Sequence, residues 1–272
     1  MQPGKASITQ LFNSQTQYLI PVFQRGYVWT LEKQVAPLWA DLEDRSLKLV
    51  EHIAQTQQVG SQPLKPLQKH FLGSLVLTPV TSAFGRVTAY EVIDGQQRLT
   101  TLMLMLACIR DRVTDDKLKA ACREMLFQEE NKWKKIPGRN RIVYDIRDNV
   151  GTFIESYIKT DGGSQSPDLV GIAASKNLSL SNMAAGLQTI HASIDDTTRF
   201  PSEADFDRFV GYLLNNALFI YVSTEDLDDA FRLFTILNDR GIPLSNSDIL
   251  KAKNLGAISK DSERTKWAEY WE

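Results

Sequence analysis

The sequence predicts an α+β fold, a small and mostly antiparallel sheet followed by a largely helical region. Three observations carry that prediction. Two strand-like runs, Phe71 to Pro79 and Val87 to Ile93, flank a turn signal at Phe84-Gly85 and read as a hairpin. Helical periodicity dominates after Thr100. A late run, Ala217 to Val222, is too apolar to stand alone and is expected to rejoin the sheet.

Taken in order, Ser7 to Phe12 reads as a short helix capped by Ser7 or Thr9. Tyr18 to Ile20 is a short strand that stops at Pro21. Thr30 is expected to cap a helix running to about Arg45, with Val35, Leu38, Trp39 and Leu42 at helical spacing. Gln55 to Pro66 is polar, holds two prolines and reads as an exposed loop. In the strand Phe71 to Pro79, Gly73 points to a close approach by another group. Helices follow from about Thr100 to Val113 and Asp115 to Asn131. Gly162 to Asn182, rich in Ser, Gly and Asn, reads as a mobile loop or linker. Pro201 to Asp205 looks like a capping sequence for a helix through Leu214. After the late strand, Thr224 caps Glu225 to Leu237, Gly241 suits the end of that helix, and Ser245 or Ser247 caps the next. The chain divides as a core over 1–112, a variable helical region over 113–200, and a returning strand with helices over 201–272.

Composition narrows the function classes. With 272 residues, 43% hydrophobic and 24% charged, the chain can bury a sizeable core. A net charge of −2 gives no global attraction to nucleic acid, so DNA contact needs a local patch. Cys108 and Cys122 read as buried reduced thiols, as in a reducing cytoplasm. His52, His70 and His191 are far apart and sit in no metal motif. No signal peptide opens the chain, and no apolar run is long enough for a bilayer. The chain ends at Trp267 to Glu272 in what reads as mid-helix, so it is expected to be the front part of a longer protein.

Asp94-Gly95-Gln96-Gln97-Arg98 is the most informative stretch. It sits where the apolar run Ala89 to Ile93 turns into the strongly apolar Leu99 to Leu106. A helix start offers free N–H groups and a positive dipole end, which suit phosphate. Gly95 permits a tight turn or close ligand approach, and Arg98 can fork onto phosphate oxygens. Asp94 is a candidate for Mg²⁺ or a nucleophilic water, and Gln96 or Gln97 for orienting that water. The bland alternative is a structural cap with a solvated Arg98. A second junction, Gln24-Arg25, lies among Phe23, Tyr27 and Trp29, which suits base stacking beside phosphate or, equally, a core-anchoring aromatic cluster. Asn238, Asp239, Arg240, Ser245, Asp248 and Lys251 surround a helix–loop–helix turn that ordinary capping also explains. From Lys132 to Arg147 six cations, with Lys134, Lys135, Arg139 and Arg141 among them, face only Asp145; this is a DNA-backbone candidate or a solvated face.

The segments "IPVFQRGYVW", "FLGSLVL", "YEVIDGQQRLTTL" and "AFRLFTILNDRGIPLSNSDILKA", in this order, resemble the N-terminal domain of GmrS/GmrD-type (GmrSD) restriction proteins, from about Ile8 to Leu255. The resemblance implies a core similar to the ParB and sulfiredoxin fold, with Gln24-Arg25 and Gly95 to Arg98 at its nucleotide-phosphate positions. It implies binding and hydrolysis of a nucleoside triphosphate, with an HNH-type nuclease as partner domain or subunit. It also implies modified phage DNA, such as glucosylated cytosine DNA, as target; a related branch similar to SspE senses phosphorothioation. No His-Asn-His constellation stands in this sequence, so that nuclease is expected to be absent from this chain.

The expected function is therefore an NTP-binding and hydrolysing sensor of a modification-dependent restriction system, with Mg²⁺ as metal. Asp94 would serve metal or water, Gln96 and Gln97 water and phosphate, and Arg98 the transition-state charge. Gln24, Arg25, Gly95, Asn238, Arg240 and Lys251 would complete the nucleotide pocket. A non-catalytic modified-DNA or phosphorothioate binder is the alternative, and a metal-dependent nickase ranks third. A homo-oligomer is compatible with all three.

Overall fold

Ser7 closes strand β1 (Gln2–Ser7) and opens helix α1 (Ile8–Leu11) through a reciprocal capping box. Its hydroxyl accepts from the Gln10 N–H, and Gln10 Oε1 accepts from the Ser7 N–H at 2.9 Å. The computed structural model describes residues 2–12, 16–58, 69–81, 87–133, 135–144, 149–226, 229–230, 232–233, 250, 254–255, 258, 263 and 266–267. Strand β2 (Tyr18–Ile20) follows and stops where Pro21 withdraws its donor.

Thr30 does precede a helix, but its hydroxyl caps no N–H. Gln34 Oε1 instead accepts from the Thr30 N–H at 2.9 Å. The first turn, Leu31–Val35, is a π-turn that leads into α2 (Ala36–Gln58). Pro37 lacks an N–H and crowds the carbonyl four residues back, which favours a widened turn there. Helix α2 reaches Gln58, so residues 55–58 of the expected loop are helical; 59–66 lie outside the described residues.

Strands β3 (His70–Thr81) and β4 (Val87–Asp94) pair antiparallel as the expected hairpin; its turn lies outside the described residues. Helix α3 (Gln96–Arg112) leaves β4 and is buried without a break from Leu99 to Arg110. It is a central helix, apolar all round because neighbours cover every side. Helix α4 (Asp116–Leu126) is capped by Asp115 and gives way to β5 (Phe127–Gln128), so it is shorter than the expected span to Asn131. Strands β6 (Arg139–Asn140) and β7 (Ile142–Tyr144) arise inside the basic stretch. Helix α5 (Val150–Phe153) runs on into a π-helical segment, Ile154–Lys159.

The expected mobile segment 162–182 is ordered. It holds a 3₁₀ turn (Gly163–Gln165), helix α6 (Leu169–Ala173) and the start of α7 (Leu178–Ile194). A buried polar network fixes it. Asp111 accepts from the N–H groups of Gly162 at 2.9 Å and Ser164 at 3.1 Å, and pairs with Arg110 at 2.7 Å. The Ser164 hydroxyl lies 2.5 Å from Asp111 Oδ2 and 2.8 Å from His191 Nε2. Arg110 donates onward to the carbonyls of Ile158, Lys159 and Thr160.

Ser202 and Asp205 form the expected capping box of α8 (Glu203–Asn216), and β8 (Ala217–Ser223) returns to the sheet. The sheet order is β1-β8-β3-β4-β2-β7. β1 with β8 and β3 with β4 are antiparallel; β8 with β3, β4 with β2 and β2 with β7 are parallel. The sheet is thus mixed rather than mostly antiparallel. Crossovers through helices bring β2, β7 and β8 back in the same direction as their neighbours. The main core lies between one sheet face and the helices. A smaller cluster joins Val22, Phe23, Val76 and Ile93 to Ala230 and Leu255. Among the described residues no helix is long and apolar enough to cross a membrane.

Candidate functional site

Strand β4 ends at Asp94, and Gly95 makes the turn with φ +95°. A side chain is excluded there twice over. The backbone is left-handed, and an added Cβ would lie 2.3 Å from Leu75 Cδ2 and 3.0 Å from the Ser74 carbonyl. Because a glycine occupies the N-cap, no side chain caps the first N–H groups of α3. The positive helix end is therefore served by no cap side chain of its own, and Asp94 is the carboxylate next to it.

Asp94 stands half-buried beside that end. Burial raises its pKa; Arg98, the Gly95 N–H and Arg25 pull it back down. Arg25 and Arg98 thus both reach the field of one carboxylate, although 73 residues separate them in the chain. The Arg98 side chain lies against strand β3, where a Cβ on Gly73 would come 2.8 Å from its Cζ.

Three glutamines stitch the two junctions together. Gln24 Nε2 donates to the Ile93 carbonyl at 2.7 Å. Gln96 Nε2 donates to the Arg25 carbonyl at 3.0 Å, and Gln97 Nε2 to the Gly26 carbonyl at 2.9 Å. Gln97 Oε1 accepts from the N–H groups of Val28 at 2.9 Å and Trp29 at 3.3 Å. One turn lower, the hydroxyls of Tyr27 and Thr101 meet at 2.8 Å, and those of Thr100 and Tyr144 at 2.7 Å. Every one of these amides is buried. The role expected for Gln97 is corrected accordingly: both ends of its amide are consumed by backbone, so it clamps the 26–29 segment rather than orienting water. Gln96 differs. Its Oε1 is buried and has no hydrogen-bond partner among the described residues.

Other expectations divide. Phe23 and Tyr27 are buried, at 6% and 0% exposure, so these two anchor the core and offer no stacking platform. Arg141 is 2% exposed; it donates to the Glu124 carbonyl at 3.0 Å and to Gln128 Oε1 at 2.8 Å. From the junction of β6 and β7 it ties the chain to α4 and β5, and it is withdrawn as a DNA contact. Arg139 is half-buried, and burial lowers its pKa. Lys135 is exposed with φ 54°, and Lys134 lies outside the described residues. So do Asn238, Asp239, Arg240, Ser245, Asp248 and Lys251. The residues flanking that stretch, Ala230 and Leu255, pack with Ile93 and Phe23, next to Asp94 and Gln24. Cys108 and Cys122 are buried and free, as expected.

Two features were not read from the sequence. The glutamine clamps leave no trace in periodicity or composition, since a buried Gln looks like a surface one until its partners are seen. The Arg110–Asp111–Ser164–His191 network draws on residues up to 81 positions apart. A cavity of about 330 Å³ also opens on the sheet, lined by Tyr18, Leu77, Tyr90 and Tyr221 among others; none of the residues assigned above borders it. Among the described residues no cluster of three His, Cys, Asp or Glu side chains is arranged for a metal.

Fold and turn define an α+β domain in which two polar junctions, Gln24-Arg25 and Asp94 to Arg98, are tied together at a glycine-started helix. Residues 8–255 match the N-terminal domain of the GmrSD restriction endonuclease, and the chain belongs to that family. It is thereby a restriction-system domain. A search among curated proteins returned no match.

Proposed function

We propose that this domain binds a nucleoside triphosphate at the start of α3 and hydrolyses it, acting as the sensor of a modification-dependent DNA restriction system. The observation that carries this reading is the Gly95 turn, a helix start with no side chain at its N-cap, flanked by Asp94 and Arg98 and tied to the Arg25 segment by Gln24 and Gln96. Free N–H groups and two guanidiniums are the usual means of holding phosphate oxygens. A lone carboxylate between two cations does not make a cage for a free metal ion. It does suit Mg²⁺ arriving on a triphosphate, which needs only one or two protein carboxylates. Asp94 would hold that ion, which would offset charge on the phosphates. Gln96 Oε1 would accept from the attacking water, since it is a buried side-chain acceptor at this turn with no partner among the described residues. Arg98 would meet charge developing on the transferred group. Asn238, Arg240 and Lys251 would close the pocket, and an HNH-type nuclease, in the same chain or as a subunit, would cut modified DNA in response.

The test is phosphate release from GTP, UTP, CTP and ATP with Mg²⁺. Wild type is expected to release phosphate from at least one. Asp94→Ala and Arg98→Ala are expected to lose about 100-fold or more, the scale of removing one preorganised charge contact. Equal rates in wild type and both variants would remove this assignment. Tight binding with no phosphate released would favour the non-catalytic reading, in which the nucleotide acts only as a switch.

A further inference from the structure

We infer that Gly73 is the seat of Arg98: a positioning residue on strand β3 that lets the guanidinium lie against the bare strand beside the 94–98 turn. This rests on the function proposed above only for its consequence, not for its geometry. Gly73 has φ +125°, a conformation that side-chain-bearing residues avoid. An added Cβ would stand 2.8 Å from Arg98 Cζ, 2.9 Å from Nε and 3.0 Å from Nη1. All three contacts are to the rigid guanidinium, not to the flexible stem. The strand pays for this locally: its register against β8 shifts between Phe71 and Gly73. Irregularities of this kind, bulges among them, re-aim groups beside a site. The next two residues continue the same floor, because the Ser74 carbonyl and Leu75 lie directly under Gly95. So β3 supports the whole 94–98 turn, with bare backbone under Arg98 and a leucine under Gly95.

The seat has a chemical purpose. A long arginine side chain has many rotamers, and holding it against a strand prepays that entropy. With one face covered, the guanidinium keeps its edge for phosphate oxygens. It also stays close enough to Asp94 to favour the ionised carboxylate.

Gly73→Ala, Arg98→Ala and the double variant in the whole chain test this. The first readout needs no nucleotide: the Arg98 Nε–H resonance in ¹H–¹⁵N NMR. Wild type is expected to hold it ordered, and Gly73→Ala to leave it as mobile as a surface arginine. In thermal melts Gly73→Ala is expected to lower the midpoint less in the Arg98→Ala background than in wild type. The second readout is phosphate release from GTP, where Gly73→Ala should lower the rate about 10-fold and be silent once Arg98 is gone. An Arg98 resonance equally ordered in wild type and Gly73→Ala, or an equal loss of melting temperature in both backgrounds, would overturn the proposal. Should Gly73→Ala fail to fold, the double variant decides: recovery of folding when the guanidinium is removed supports the seat, and failure of both assigns position 73 to backbone strain alone. If wild type neither binds nor hydrolyses GTP, the nucleotide reading fails, while the Arg98 resonance still judges the seat.

Discussion

Asp94 is held in the fold at a cost. Its carboxylate is half-buried, and desolvation outweighs the help of Arg98, the Gly95 N–H and Arg25, so its pKa sits above the ordinary 3.8. The consequence for stability has a definite sign. Below pH 3.8 the group is protonated in both folded and unfolded chains and costs nothing. As pH rises toward the raised folded value, the unfolded chain ionises first and stability falls. Above that value the full penalty persists. Asp94→Asn is therefore expected to melt higher than wild type at pH 7, with the advantage fading as pH drops toward 4 and gone below it. Thermal melts of both proteins from pH 3.5 to 8 check this; a variant that melts lower at every pH would show that the two arginines need the charge more than the fold resents it. A residue that destabilises the fold and gathers two cations is the kind of position kept for chemistry.

At the scale of elements, the glutamine clamps explain why two distant motifs act as one. The 24–29 segment has no regular secondary structure, and its backbone groups need partners. Gln97 supplies three: the Gly26 carbonyl and the Val28 and Trp29 N–H groups. Gln97→Ala strands these groups in a site that water reaches poorly. At about 1–3 kcal/mol for an unpaired buried group, and with partial rescue by water, a loss of about 2–4 kcal/mol is expected. Urea unfolding measures it, and a loss below about 0.5 kcal/mol would mean the clamp is dispensable. What could be read in advance follows from the range of each interaction. The α1 helix with its Ser7-or-Thr9 cap, the α8 capping sequence, the β3–β4 hairpin and the β8 strand rest on local patterns and are legible; the reciprocal Gln10 half of the α1 box is not. Strand β1, with the sequence Gln-Pro-Gly-Lys-Ala-Ser, has no apolar alternation and pairs only because β8 arrives beside it. The 162–182 segment looked mobile because its composition is loop-like; its order comes from Asp111 and His191, which no local window contains. The site divides in the same way. The Asp94–Arg98 turn and Gln24-Arg25 stood out as polar residues between apolar runs, whereas clamping by Gln97 and burial of Arg141 depend on partners chosen by the fold.

Over the whole molecule, the site is built where two cores meet. The main core holds α3 against one face of the sheet, and the smaller cluster covers the other face with Ala230 and Leu255. That cluster touches the site at two points in sequence: Ile93 immediately precedes Asp94, and Phe23 immediately precedes Gln24. Both residues pack in this cluster, which holds no residue of α3, so the strand and the 24–29 segment have a support separate from the main core. The chain after β8 is therefore part of what holds the arginines in place, whether or not it contributes a side chain to the pocket. Ala230 is fully buried in this cluster, which makes it a sensitive probe. Ala230→Glu would force a carboxylate into apolar surroundings, and separating the two layers is the cheaper response. Because α3 and the helices around it lie in the other core, they are expected to stay folded. Hydrogen exchange should then show faster exchange at the Gln24 and Asp94 amides, with Leu104 to Ile109 unchanged. Nucleotide binding, if present in wild type, should weaken about 10-fold. Faster exchange throughout α3 would mean instead that the two cores unfold as one unit, and that the site has a single support rather than two.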